Sequence, residues 1–78
     1  MKVKLPGVRN VYITGEYIKL DSLLKFASIA STGGEAKHLI QEGHIFIGGE
    51  PCRARGKKVR HGDVVCCGYD TLIIKNKV

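Results

Sequence analysis

The spacing of hydrophobic positions changes along the first third of the chain. Residues 11–14, VYIT, alternate and are rich in β-branched and aromatic side chains, which predicts a short strand that ends at Gly15. Leu20 is then followed by apolar residues at positions i+3, i+4 and i+7, the stripe of an amphipathic helix. Asp21 falls in the first turn of this helix, where a carboxylate suits the helix dipole. We therefore predict a strand followed by a short helix.

Residues 31–43, STGGEAKHLIQEG, carry the start and stop signals of a second helix. Thr32 is the expected N-cap, Glu35 completes a capping box, and Gly43 is the expected stop. The apolar residues between them share one face, so the two helices should pack against each other and against a sheet. Three polar residues are left on the outward face: Lys37, His38 and Gln41.

After the second helix the apolar spacing falls to two. Ile45 and Ile47 share one face of a strand. The pair Gly48-Gly49 fits the tight turn of a hairpin, because both central residues of that turn need positive φ. Pro51 cannot donate a ladder hydrogen bond, so we expect the return strand to be short or at an edge.

Two more strands are predicted over residues 64–67 and 71–75, and the strand over residues 11–14 is available to pair with the last of them. The predicted fold class is α+β, with two short packed helices against a small, mostly antiparallel sheet. Because no linker or low-complexity segment interrupts the pattern, we expect residues 1–78 to form a single domain.

Charge adds a function class to this fold. Thirteen Lys and Arg residues against seven Asp and Glu give a net charge of +6, which favours anionic partners such as nucleic acid. The basic residues concentrate in RARGKKVRHGD, residues 53–63, where no acid precedes Asp63. Such a block is sometimes only solubilising, yet Lys and Arg along a backbone path are also what phosphate binding requires. Its candidate phosphate-binding cations are Arg53, Arg55, Lys57, Lys58 and Arg60.

If this basic stretch were a strand, Arg53, Arg55 and Lys57 would share one face. A second candidate anion site is the start of the second helix. Gly33 and Gly34 leave its first backbone amides uncovered, although Glu35 competes as an anion. No phosphate-loop or dinucleotide-binding glycine pattern surrounds them, which argues against a nucleotide-hydrolysing site.

The remaining residues give no sign of catalysis, metal binding or a membrane segment. Cys52, Cys66 and Cys67 lack the C-x-x-C spacing of a zinc site and are expected to be reduced strand residues. The histidines and acids form no triad and no carboxylate pair, so we expect no enzyme activity, no cofactor and no small-molecule substrate. Without a signal peptide or a long apolar run, the expected location is the cytoplasm and not a membrane.

Five aromatic residues could offer a surface on which bases stack. We expect them mainly in the core and covering the sheet, which favours structured RNA over a single strand as the ligand. These residues are Tyr12, Tyr17, Phe26, Phe46 and Tyr69.

The order of three segments, IKLDSLL, STGGEAKHLIQEGHIFIGGEPC and KKVRHGDVV, resembles the ribosomal protein S-four-type RNA-binding domain over residues 18 to about 67. The resemblance implies a module of two helices on a short antiparallel sheet that anchors a protein to structured RNA. The matching positions are Leu20, Asp21, Leu24, Ala36, Leu39, Ile40, Gly43, Ile45, Ile47, Gly49, Val59, Gly62, Asp63 and Val64.

By this resemblance, the RNA-facing surface consists of the exposed side of the two helices and the basic segment after the hairpin. Residue by residue, this implies roles for Lys37, His38, Arg53, Arg55, Lys57 and Lys58. Many members carry an Arg in a Ser-Arg pair before the second helix, where this chain has Ser31 to Gly34. The amides of Gly33 and Gly34 are candidate phosphate contacts in its place.

The expected function is therefore a non-catalytic module that binds structured RNA, either rRNA or tRNA, with ribosome-associated proteins as further candidate partners. Two alternatives stay open. The same cations could serve a DNA- or replication-associated accessory protein, or they could dock a basic protein–protein adaptor on an acidic, ribosome-associated partner.

Overall fold

The computed structural model describes residues 7–68 and 70–77. Within these residues, nine short elements follow one another. They are β1 (Gly7–Ile13), β2 (Ile18–Lys19), α1 (Leu20–Phe26), α2 (Gly33–Gln41), β3 (Ile45–Ile47), β4 (Glu50–Pro51), β5 (Lys58–Val59), β6 (Val64–Cys67) and β7 (Asp70–Asn76).

Five of the strands form one sheet in the order β1-β7-β6-β3-β4. All neighbours in it are antiparallel except β1 and β7, which run parallel with Val11 opposite Ile74. The expected pairing of the first strand with the last is therefore confirmed, and so is a mostly antiparallel sheet. The remaining strands, β2 and β5, form a separate antiparallel ribbon that the sequence pattern did not predict.

The core lies between the two helices and one face of the sheet. Leu20, Leu23 and Leu24 of α1 are buried, as are Ala36 and Ile40 of α2. Alternate strand residues complete the cluster: Val11, Ile13, Ile45, Val65, Leu72 and Ile74. The fold class is thus α+β, with two helices packed against a small sheet, as predicted.

Most local signals for turns and caps act as expected, but only half of the capping box forms: in the part of the chain that the structure describes, the Glu35 side chain makes no hydrogen bond back to the Thr32 N–H. The Thr32 hydroxyl accepts a hydrogen bond from the Glu35 backbone N–H at 3.1 Å, which caps the start of α2. Gly48 and Gly49 take φ values of +61° and +85° between β3 and β4, as the tight hairpin turn requires. Pro51 lies in a two-residue strand at the edge of the sheet.

The interpretation of the basic stretch as a strand is wrong for most of its length. Only Lys58–Val59 is extended and paired, whereas Arg53 to Lys57 form no strand. The cause is that the backbone here bonds to the start of α1 rather than to a neighbouring strand. Alternation therefore does not decide which cations share a face.

Candidate nucleic-acid interface

Helix α1 holds the basic segment, residues 53–60, by its first backbone amides. Leu20 N–H donates to the Lys57 carbonyl at 2.9 Å, and Asp21 N–H donates to the Arg55 carbonyl at 3.1 Å. The first amides of a helix have no partner within the helix, so these bonds satisfy them. A segment that resembles a loop in sequence is thereby fixed against a helix end.

A charged contact adds to this attachment. Both Nε and Nη2 of Arg55 lie 3.2 Å from Oδ2 of Asp21. The Arg55 side chain remains half exposed, so its guanidinium is held in position and still faces solvent. Asp21 thus holds a cation of the segment as well as suiting the first turn of α1.

Arg53 lies against the end of the second helix. Its guanidinium is so close to Gly43 that a Cβ placed there would lie 2.9 Å from Nη2. Gly43 also has a φ of +80°, so two separate constraints favour glycine at this position. A cation next to the C-terminus of a helix is stabilised by the helix dipole. Arg53 therefore places a cation of the basic segment beside the end of the second helix, by proximity and, within the described residues, not through a hydrogen bond or ion pair.

The ribbon of β2 and β5 brings further cations together. Lys58 pairs directly with Lys19, and like charges opposite each other on paired strands reduce stability. Lys58 Nζ lies 4.9 Å from the centre of the Tyr17 ring, and Arg60 Cζ lies 6.0 Å from it. Within the described residues, Lys57, Lys58 and Arg60 form no ion pair. This end of the basic segment is therefore a concentration of uncompensated positive charge.

Asp63 is a turn residue rather than a member of this surface. Its Oδ2 accepts a hydrogen bond from the Arg60 backbone N–H at 2.7 Å. The carboxylate therefore caps a turn at the entrance to a strand.

The candidate residues of α2 are exposed but not joined to the basic segment. Lys37 and His38 both face solvent, and neither forms a hydrogen bond or an ion pair with residues 53–60 in the part of the chain that the structure describes. Gly33 and Gly34 open the helix, and a Cβ at Gly33 would meet nothing within 4 Å. There is therefore open space beside the Cα of Gly33, and a phosphate contact at these amides stays a prediction.

Two groups of residues near this surface were missed from the sequence. Lys19 joins the cations only because β2 pairs with β5, and a two-residue strand is too short to show alternation. The aromatic residues were expected in the core, but none of the four that the structure describes is buried. The expectation that they lie in the core is therefore wrong for these four residues. The fifth, Tyr69, lies outside the described residues.

Among the described residues, no group of three or more His, Cys, Asp and Glu side chains could hold a metal ion. The three cysteines are free, and burial, with Asp70 and Cys66 adding to it, raises the pKa of Cys67 to about 11. In the same part of the chain, no helix is long and apolar enough to cross a membrane.

Comparison with known proteins agrees with this geometry. The S4 domain family matches residues 11–75. The probable ribosome maturation protein RlbA of Bacillus subtilis is 38% identical over 55 residues, which are 70% of this chain and 78% of that protein. The small ribosomal subunit protein uS4 of Novosphingobium aromaticivorans is 36% identical over 50 residues, 64% of this chain but only 25% of that protein. This chain belongs to the S4 domain family of non-catalytic RNA-binding proteins.

Proposed function

We propose that this chain acts as a single RNA-binding domain that holds structured RNA, rRNA or a tRNA-like fold, through a basic surface. The basic surface consists of Lys37, His38, Arg53, Arg55, Lys57, Lys58 and Arg60, with Gly33 and Gly34 as candidate phosphate contacts. The cytoplasm is the expected location.

The observation that carries the proposal is the uncompensated charge at the β2–β5 ribbon. Pairing Lys19 with Lys58, beside Lys57 and Arg60, costs stability in the free protein. A polyanion that binds there removes the repulsion and releases its own counterions, so the same arrangement favours binding. This cluster is thus easier to explain as a binding surface than as a device for solubility.

Fixed cations suit the recognition of a nucleic-acid backbone. Arg55 is held at the start of α1 by its contact with Asp21, so less side-chain freedom is lost when it binds phosphate. Phosphate contacts position a protein on a helix and carry little sequence information. The proposal is therefore recognition by shape and backbone, as is usual for double-stranded RNA.

The names of the relatives favour a ribosomal setting. One is named as a probable ribosome maturation protein, and the other is a protein of the small ribosomal subunit. We infer from these names that rRNA is the first RNA to test, with ribosome-associated proteins as further candidate partners.

The test is the salt dependence of binding to a hairpin RNA. For each phosphate contact removed, the slope of log affinity against log salt should become shallower by somewhat less than one unit. We expect the double variant Lys57→Gln/Lys58→Gln to make this slope shallower by an amount equal to about two phosphate contacts. The free energy of unfolding should be unchanged or slightly higher.

Lys75→Gln is the matched control. Lys75 lies on β7 next to the buried Ile74, on the sheet face away from the helices, and outside the basic surface. It should flatten the slope less than Lys57→Gln alone. An equal effect of the two single variants would mean that net charge and not position governs binding.

A further inference from the structure

A cleft opens beside the β2–β5 ribbon, where β1 and β7 end. Its volume is about 480 Å³, and three aromatic rings and a lysine line it together with apolar side chains. The lining residues that matter here are Tyr12, Tyr17, Phe26 and Lys77, with Ile13 and Ile18 between them.

The aromatic rings of this cleft are unusually open to solvent. Phe26 is 62% exposed at the end of α1, and Tyr12 is 54% exposed on β1. Burying either ring in the core would have stabilised so small a domain, and neither ring is buried. Exposed apolar side chains grouped in one concavity are typical of a binding site.

Hydrogen bonds hold the walls of the cleft in place. Asn76 Nδ2 donates to the Gly15 carbonyl at 2.6 Å, and Lys77 N–H donates to the Ile13 carbonyl at 2.8 Å. The loop after β1 is thus tied to the end of β7. The cleft exists before any ligand enters, which lowers the entropic cost of binding.

The charge around the cleft points to its occupant. Lys77 lines the cleft. Lys58 Nζ and Arg60 Cζ lie 4.9 and 6.0 Å from the centre of the Tyr17 ring. The basic segment therefore reaches the cleft at Tyr17. An apolar segment of another protein would gain little from these cations, whereas a nucleotide presents a flat base and a phosphate together.

We propose that the cleft receives one unpaired nucleotide of the RNA, such as a bulged or flipped-out base next to a helical stem. The base stacks on Phe26, the most exposed of the three rings, and its phosphates lie near Lys77, Lys58 and Arg60. This inference rests on the proposed RNA binding and adds a class of ligand to it. Helical RNA is held by the basic surface, and the cleft selects stems that carry an unpaired base.

The test compares two hairpin RNAs that differ by one nucleotide. Both have the same loop, one has a fully paired stem, and the other carries a single bulged adenosine in that stem, so the bulge is the one difference between them. We expect the protein to bind the bulged hairpin about 5- to 100-fold more tightly, the range that stacking of one base on an aromatic side chain supports. Affinity for the paired hairpin should depend on salt and not on the aromatic rings.

Phe26→Leu is the decisive variant, because leucine keeps an apolar side chain but has no π-face. We expect the preference for the bulged hairpin to fall towards 1, with the paired hairpin bound as before. The variant Phe26→Tyr, which keeps an aromatic ring, should keep the wild-type preference for the bulged hairpin. Phe46→Leu is the matched control, since Phe46 is a 39% exposed aromatic residue on β3 that does not line the cleft.

The outcomes separate this inference from the proposed function. If the protein binds both hairpins equally and with steep salt dependence, RNA binding stands and the cleft proposal is overturned. Retention of the preference in Phe26→Leu, or its loss in Phe46→Leu, overturns the cleft proposal as well. If neither hairpin is bound, the proposed function itself fails and the cleft proposal fails with it.

Discussion

Asp21 has two roles that a single substitution can separate. Its carboxylate pairs with Arg55 at 3.2 Å and also accepts a hydrogen bond from the Ser22 N–H at 2.8 Å. We expect Asp21→Asn to lower the free energy of unfolding by about 0.2–1 kcal/mol, the usual contribution of an exposed ion pair. RNA affinity should fall by about fivefold or less, because Arg55 loses the charged partner that positions it for phosphate.

Urea unfolding and hairpin binding at one fixed salt concentration measure both effects. Equal or tighter RNA binding by folded Asp21→Asn would show instead that the carboxylate repels phosphate and does not position Arg55. The sequence could not reveal this contact, since 34 residues separate the two side chains. It exists only because the basic segment bonds to the start of α1.

Cys67 supplies a pH-dependent prediction. Burial raises the pKa of its thiol from 9.0 to about 11, so the folded protein holds the proton more tightly than the unfolded chain. The contribution to stability is fully present below the unfolded pKa and is lost as the pH rises through the folded pKa. We expect stability to fall between about pH 9 and pH 11. Urea titrations of wild type and Cys67→Ala should show a smaller fall in the variant, and equal falls would contradict the assignment.

At the scale of elements, the start of helix α2 uses one residue as its cap and two other residues as candidate phosphate contacts. Thr32 caps the helix. Among the described residues, the only atom within 4 Å of a Cβ added at Gly34 would be the Thr32 hydroxyl oxygen, at 3.9 Å, so a methyl group fits there. We therefore expect Gly33→Ala/Gly34→Ala to fold with a free energy of unfolding equal to wild type or up to about 1 kcal/mol higher. If the amides bind phosphate, the methyl groups should weaken RNA binding by about fivefold or more. Circular dichroism and hairpin titration measure the two effects, and unchanged affinity would remove both glycines from the basic surface.

The elements that the sequence predicted are those with local signals. The capping residue Thr32 and the Gly48-Gly49 turn depend on neighbours within a few positions, so they can be recognised without the fold. The parallel pairing of β1 with β7 and the β2–β5 ribbon join distant parts of the chain. Strands of two residues carry no periodicity, and the cleft and the Lys19–Lys58 pair follow from that ribbon. The candidate cations could thus be predicted as a set, but not their arrangement.

At the scale of the molecule, positive charge is concentrated where it can be removed without touching the core. Arg53, Arg55, Lys57 and Lys58 are all exposed, and changing all four to Gln lowers the net charge from +6 to +2. We expect crosslinking in cells followed by sequencing to recover a structured RNA with the wild-type protein and to lose it with this variant. The loss should exceed that caused by Lys75→Gln, because binding depends on the number of phosphates neutralised at one surface.

The same experiment discriminates between the possible partners. Recovery of DNA in place of RNA would favour the replication-associated alternative, since the cations alone do not distinguish the two backbones. A protein that co-purifies after nuclease treatment and is lost from the four-residue variant would favour the adaptor, with the basic surface docked on acidic side chains. Enrichment of a single rRNA region would identify both the target and the register of the domain on it. Unpaired bases beside a stem in that region would also supply the natural ligand for the aromatic cleft.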